Sequence, residues 1–137
     1  MRSVASPPGW CAPFCGHPFE LGADGPDSYD CWGVVRACLR DRFHVDVPAL
    51  TTLRAQDEAT QLAEGGVDWI EISAESARPG DVLRFRGRGG SVHVGLVVAG
   101  GWMLHAFPKT TSRVERYRCQ PWESSLRGAY RHVELAS

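Results

Sequence analysis

Three side chains in this sequence have the types and order needed to make an activated thiol: Cys31, His93 and His105. Cys31 lies in Tyr29-Asp30-Cys31-Trp32-Gly33. Directly after it, Val34, Val35, Cys38 and Leu39 recur at helical spacing. Asp30 stands where a helix N-cap belongs, its side-chain oxygen able to accept from a first-turn N–H. Cys31 is then a first-turn residue. A helix start carries partial positive charge and favours an anion, and a thiolate is an anion. Such a setting, or a neighbouring imidazolium, lowers a thiol pKa from about 8.5 to roughly 3.5–7.5.

A thiol nucleophile also needs a base. Ser91 to Val98 is a β-prone run, SVHVGLVV, in which alternation sets Val92, Val94, Leu96 and Val98 on one face and His93 and Gly95 on the other. His105 falls in the next predicted strand, across the turn Ala99-Gly100-Gly101. If the two histidines share a face they are cross-strand neighbours, and His105 can hold the tautomer of His93. In that arrangement Cys31 attacks a carbonyl, and His93 takes the thiol proton or pairs with the thiolate, then protonates the leaving amine. Backbone N–H groups at the helix start would receive the oxyanion. Singly, Cys31 on an apolar helix face reads as a core thiol, and each histidine reads as structural. Their order and flanking motifs carry the functional reading. His17, His44 and His132 lack that context and read as structural or solvent-exposed.

The elements that must position these residues follow from pattern. Residues 1–15 form an extended arm pinned by Trp10 and Phe14, and residues 16–28 a Gly/Pro/Asp-rich loop. A helix is expected from Asp30 to about Phe43, stopped by Val45-Asp46-Val47-Pro48. A second helix is expected from about Thr52 to Glu64, ended by Gly65-Gly66. Trp69-Ile70-Glu71-Ile72 is a short edge strand. Strands then follow at Val82–Arg86, Ser91–Val98, Trp102–Phe107, Arg113–Arg118 and Gly128–Val133, and the short Gly-rich turns joining the earlier ones imply a meandering antiparallel sheet.

The 137 residues, 43% hydrophobic, suffice for a single domain with its own core. A net charge of -1 gives no electrostatic case for nucleic acid or a membrane surface. No apolar run approaches the roughly 20 residues of a membrane-spanning helix. The N-terminal MRSVASPPGW lacks the apolar core of a secretory signal, which leaves delivery to another carrier. Five cysteines cannot all pair within one chain. Cys11 and Cys15 have no second pair at metal-ligand spacing and read as small buried or tethered thiols, the alternative being a disulfide or a metal site shared with a partner.

Asp-Cys-x-Gly at a helix start, His-Val-Gly-Leu-Val-Val on a strand and a histidine on the next strand together resemble the NlpC-type, papain-like cell-wall cysteine peptidases. Pro79-Gly80-Asp81-Val82-Leu83 is similar to that family's Pro-Gly-Asp element, and the resemblance covers roughly residues 10–132. Each motif alone is weak; the ordered set is fairly specific. The resemblance implies an α+β, papain-like fold with the nucleophile on an N-terminal helix packed against the sheet. It implies Cys31 as nucleophile, His93 as base and His105 as third polar residue, with Tyr29, Asp30 and Trp32 at the oxyanion and substrate cleft, Trp32 as a packing residue at its edge. It implies a peptide bond of the peptidoglycan stem as substrate, commonly a γ-D-glutamyl to diamino-acid bond, with no cofactor and no metal.

Within the family the chain looks most like the short phage-tail and gene-transfer-agent peptidases, through Pro18-Phe19, the Gly/Asp-rich loop and Asp30 to Gly33. That implies synthesis in the bacterial cytoplasm, a place in a tail tip among baseplate proteins, and action on the periplasmic wall. One departure is visible. Many members carry a tyrosine before the nucleophile, where this chain has Phe19, so Tyr29 or backbone groups would have to hold the oxyanion. The alternative is a structural plug or adaptor with the same fold and little catalysis; acyl transfer on a related scaffold is a third reading.

Overall fold

The computed structural model describes residues 3–48, 68–87 and 91–136. The helix expected at Thr52–Glu64 lies outside them. Helix α1 spans Cys31–Phe43. Its start is fixed by Asp30, whose Oδ1 accepts from the Gly33 N–H at 2.6 Å. Arg40 and Arg42 occupy the last turn, where cations suit the helix dipole. The helix ends locally, on His44 in the left-handed conformation (φ 59°), rather than at Pro48.

Among the described residues, six strands form one antiparallel sheet: β1 Trp69–Ile72, β2 Val82–Arg86, β3 Val92–Ala99, β4 Trp102–His105, β5 Arg113–Arg116 and β6 Leu126–His132. Their spatial order is β1-β6-β2-β3-β4-β5. Strands β2 to β5 make the expected meander, and Trp69–Ile72 is the expected edge. The last strand departs from the meander: β6 returns across the sheet and inserts between β1 and β2, pairing Ile72 with Ala129 and Val82 with Tyr130. The short helix Trp122–Ser125 carries the chain into that return.

The sheet is apolar on both faces. Val34, Val35, Cys38 and Leu39 of α1 pack with Val94, Leu96, Val98 and Leu104. The other face holds Leu83, Phe85, Val97, Met103, Tyr117 and Ala129, with Trp122 and Leu126 packed on it. The turn before β2 is fixed by Asp81, 1% exposed, which accepts from Arg131 Nε at 2.9 Å and Nη2 at 2.8 Å and from the Arg78 N–H at 2.8 Å. The Pro-Gly-Asp element is therefore a clamp between the β2 entry and β6. The N-terminal arm is pinned as expected, though not extended throughout: Gly9–Phe14 is a 3-10 helix, and Trp10 meets Phe43 edge-on at 5.9 Å.

Candidate active site

The loop before α1 is folded onto the helix start. Asp30 Oδ2 accepts from the Gly22 N–H at 2.8 Å, and the Asp30 N–H donates to the Ala23 carbonyl at 2.8 Å. Gly33 is needed for this approach, because a Cβ there would lie 1.9 Å from the Ala23 carbonyl oxygen. Cys31 is half-buried at the first position of α1, at the rim of the cluster under the helix. The same segment is tied to the end of the sheet where β4 finishes. Phe19 bridges to Tyr29, its N–H donates to the Thr110 carbonyl at 3.3 Å, and Pro18 bridges to Thr111.

His93, near the start of β3, reaches that same end. Its Nε2 lies 2.8 Å from His105 Nδ1, so the two imidazoles are hydrogen-bonded as expected. Continuing the Leu96–Leu104 pairing sets His105 opposite Gly95 and diagonal to His93. Both histidines alternate onto the face away from the α1 core, among Phe85, Phe107 and Trp122. The imidazoles therefore stand at the sheet end, on the opposite face from the core beneath the helix. His93 is 9% exposed and His105 fully buried. Burial first, and then the neighbouring His105, lower the His93 pKa to about 3, against an opposing pull from Glu115. At neutral pH His93 is uncharged.

Glu115, on β5, gave no sequence signal: it is one acid in a charged strand, Arg113-Val114-Glu115-Arg116. Its Oε2 accepts from the Trp122 indole N–H at 2.7 Å and lies 3.5 Å from His105 Nε2. His105, then Trp122, hold the Glu115 carboxyl down to about 2 against its partial burial. Trp122 stacks on His93 at 5.3 Å and 29° and was likewise invisible to local pattern.

The three residues flanking Cys31 in the expected cleft are all largely buried. Both Asp30 oxygens are engaged by Gly33 and Gly22, so this carboxylate is a structural cap; burial raises its pKa. Trp32 is a core residue, 5% exposed, donating to the Pro48 carbonyl at 3.0 Å and edge-on to Trp69. Tyr29 is 4% exposed, its ring lying against Gly25 and His17. Burial raises its pKa.

Of the other thiols, Cys38 and Cys11 are buried and Cys15 half-buried; burial raises all three, Cys11 to about 11. They are protonated and poor nucleophiles at neutral pH. Among the described residues no three His, Cys, Asp or Glu side chains form a metal-ligand group. A shallow apolar pocket lined by Trp10, Arg42, Phe43 and Val98 lies at the far end of β3 from His93.

The sequence matches the NlpC/P60 family model over residues 16–131. It is 31% identical over 91 residues to a probable endopeptidase p60 of Listeria grayi, an alignment covering 66% of this chain and 16% of that protein. Among solved structures it resembles NlpC2 of Trichomonas vaginalis with a TM-score of 0.67 at 19% identity, covering 90% of this chain and 43% of that one. It resembles the NlpC/p60 domain of the peptidoglycan hydrolase SagA with a TM-score of 0.58 at 22% identity, covering 85% of this chain and 87% of that one. At these identities the structural likeness is one of fold, and the chain spans less than half of the first two of these relatives. The family match includes Cys31, His93 and His105 and most of the sequence, and the fold agrees with it: the chain belongs to the NlpC/P60 family.

Proposed function

We propose that the chain is a cysteine peptidase that hydrolyses a peptide bond of the peptidoglycan stem, with Cys31 as nucleophile, His93 as base and His105 as the residue that orients it. The observation that carries this reading is the buried 2.8 Å bond between the two imidazoles, at the sheet end to which the Cys31 segment is tied. A neutral His93 favours general-base catalysis over a preformed thiolate–imidazolium pair. The thiol proton passes to His93 as Sγ bonds to the substrate carbonyl carbon. Backbone N–H groups at the α1 start, aided by the helix dipole, receive the oxyanion. The imidazolium then protonates the amine as the C–N bond breaks. Water attacks the thioester, gives a proton back through His93, and releases the carboxylate and the thiol.

The Listeria relative is described as a probable endopeptidase and the SagA domain as part of a peptidoglycan hydrolase, which supports the wall as substrate. A γ-D-glutamyl to diamino-acid bond is the finer proposal. The phage-like tail setting, with baseplate partners and action from outside the host cell, rests on the Pro18-Phe19 and Asp30–Gly33 resemblance alone. Incubating the purified protein with muropeptides tests the reading. Cleavage is expected from the wild type and not from Cys31→Ala; activity that survives the substitution overturns it, and product masses identify the bond.

A further inference from the structure

Behind the imidazole pair the proton accounting points to a further member of the site. His105 is fully buried, and its Nδ1 is engaged with His93. Its Nε2 is buried with no closer hydrogen-bonding partner, and Glu115 Oε2 stands 3.5 Å from it. The carboxylate is held there by the Trp122 indole N–H at 2.7 Å, while Arg113 approaches its other oxygen at 3.5 Å. Among the described residues, the charged or titratable groups that face this chain of side chains are His93 on β3, His105 on β4, and Arg113 and Glu115 on β5.

An ionised carboxylate only accepts hydrogen bonds. His105 therefore turns a protonated Nε2 toward Glu115. In a neutral imidazole the other nitrogen is then a bare acceptor, so the 2.8 Å bond is donated by His93 Nε2–H to His105 Nδ1. A neutral His93 protonated at Nε2 leaves Nδ1 with a lone pair. We propose that Glu115, braced by Trp122, is a positioning residue that sets the tautomers of both histidines and so presents the bare Nδ1 of His93 as the catalytic base. This rests on the peptidase reading for the role of His93; the tautomer assignment rests on the contacts of Glu115, His105 and His93 with both imidazoles neutral.

The relay also supplies what a histidine in third place lacks. When His93 takes the thiol proton it becomes a cation, and a neutral His105 offers it only a dipole. Glu115 places a full negative charge one imidazole further on. The 3.5 Å contact is long for a resting hydrogen bond and is expected to tighten as the imidazolium forms, as catalytic hydrogen bonds do.

Nitrogen NMR of the imidazoles in the whole chain, compared with muropeptide kinetics, tests the assignment. The wild type is expected to show His93 and His105 both protonated at Nε2 near pH 7. Glu115→Gln is expected to fold, to leave KM little changed, and to lower kcat by about ten- to hundredfold, the scale of losing a supporting hydrogen bond. The acid limb of its kcat/KM profile should move to lower pH, because the imidazolium has lost its counter-charge. Trp122→Phe, which keeps an aromatic ring and removes the donor, should shift the same limb by less. His105 protonated at Nδ1 in the wild type, or a Glu115→Gln enzyme with unchanged kcat and pH profile, overturns the proposal. The imidazole spectrum decides the tautomers whether or not the wild type cleaves muropeptides, so this assignment and the peptidase reading fail separately.

Discussion

A histidine whose folded-state pKa lies below its unfolded value makes stability depend on pH. His93 is lowered to about 3 from an ordinary 6.5, chiefly by burial. Between those values the unfolded chain binds a proton that the folded chain refuses, so acid favours unfolding. The stability held above pH 6.5 is expected to fall steadily as pH drops toward 3. The Glu115 carboxyl, lowered to about 2 from 4.5, adds a loss in the same direction below pH 4.5, discounted because its side chain is 28% exposed. Urea midpoints taken from pH 7 down to pH 4.5 measure the His93 part. His93→Gln should flatten that slope, and an equally steep slope in the variant would assign it to other groups. The histidine pair was legible in the sequence, because alternation about Gly95 and one short turn fix a face and a partner. Glu115 was not: an acid two residues from an arginine in a short strand reads as a solvated edge, and only the pairing of β4 with β5 brings it to His105.

At the scale of elements, the α1 start is built by close approach rather than by apolar burial. Gly33→Ala is expected to destabilise the fold by roughly 3 kcal/mol, the upper range for overpacking, since the added methyl meets a backbone carbonyl that cannot rotate away. Thermal unfolding checks it, and a change under about 0.5 kcal/mol, the scale of a neutral surface substitution, would mean the loop moves freely. The helix and the β2–β5 meander were readable because periods of 3.6 and 2 are local properties of the chain. The insertion of β6 was not, since its partners lie about fifty residues upstream and the strand itself says nothing of which edge it will join. Trp32 was readable as a packing residue for the same reason, since it shares a helix face with Val35 and Leu39, which are buried.

For the whole molecule, the Asp81–Arg131 clamp joins the turn before β2 to a strand fifty residues away. Its two ends differ in exposure, 1% for the Asp81 side chain and 15% for Arg131. Removing the arginine strands a carboxylate with no water to reach; removing the aspartate leaves a guanidinium that can turn outward. Arg131→Ala is therefore expected to cost roughly 3–5 kcal/mol, and Asp81→Ala less. Urea unfolding of the two variants gives the order, and the reverse order would mean that the Arg78 N–H and the turn, rather than the ion pair, hold Asp81. The Pro-Gly-Asp motif was visible in the sequence, but its job was not, because Arg131 is an ordinary charged residue until β6 carries it there.

Trp122 lies flat against the imidazole proposed to gain and lose the proton, and its indole N–H rests on the proposed counter-charge. An aromatic face attracts a cation laid over it, and a protonated imidazole quenches indole emission where a neutral one does so weakly. The protein thus carries its own optical gauge of charge at His93. The light missing from Trp122, read against the four other tryptophans, would report the imidazolium during turnover with no label added.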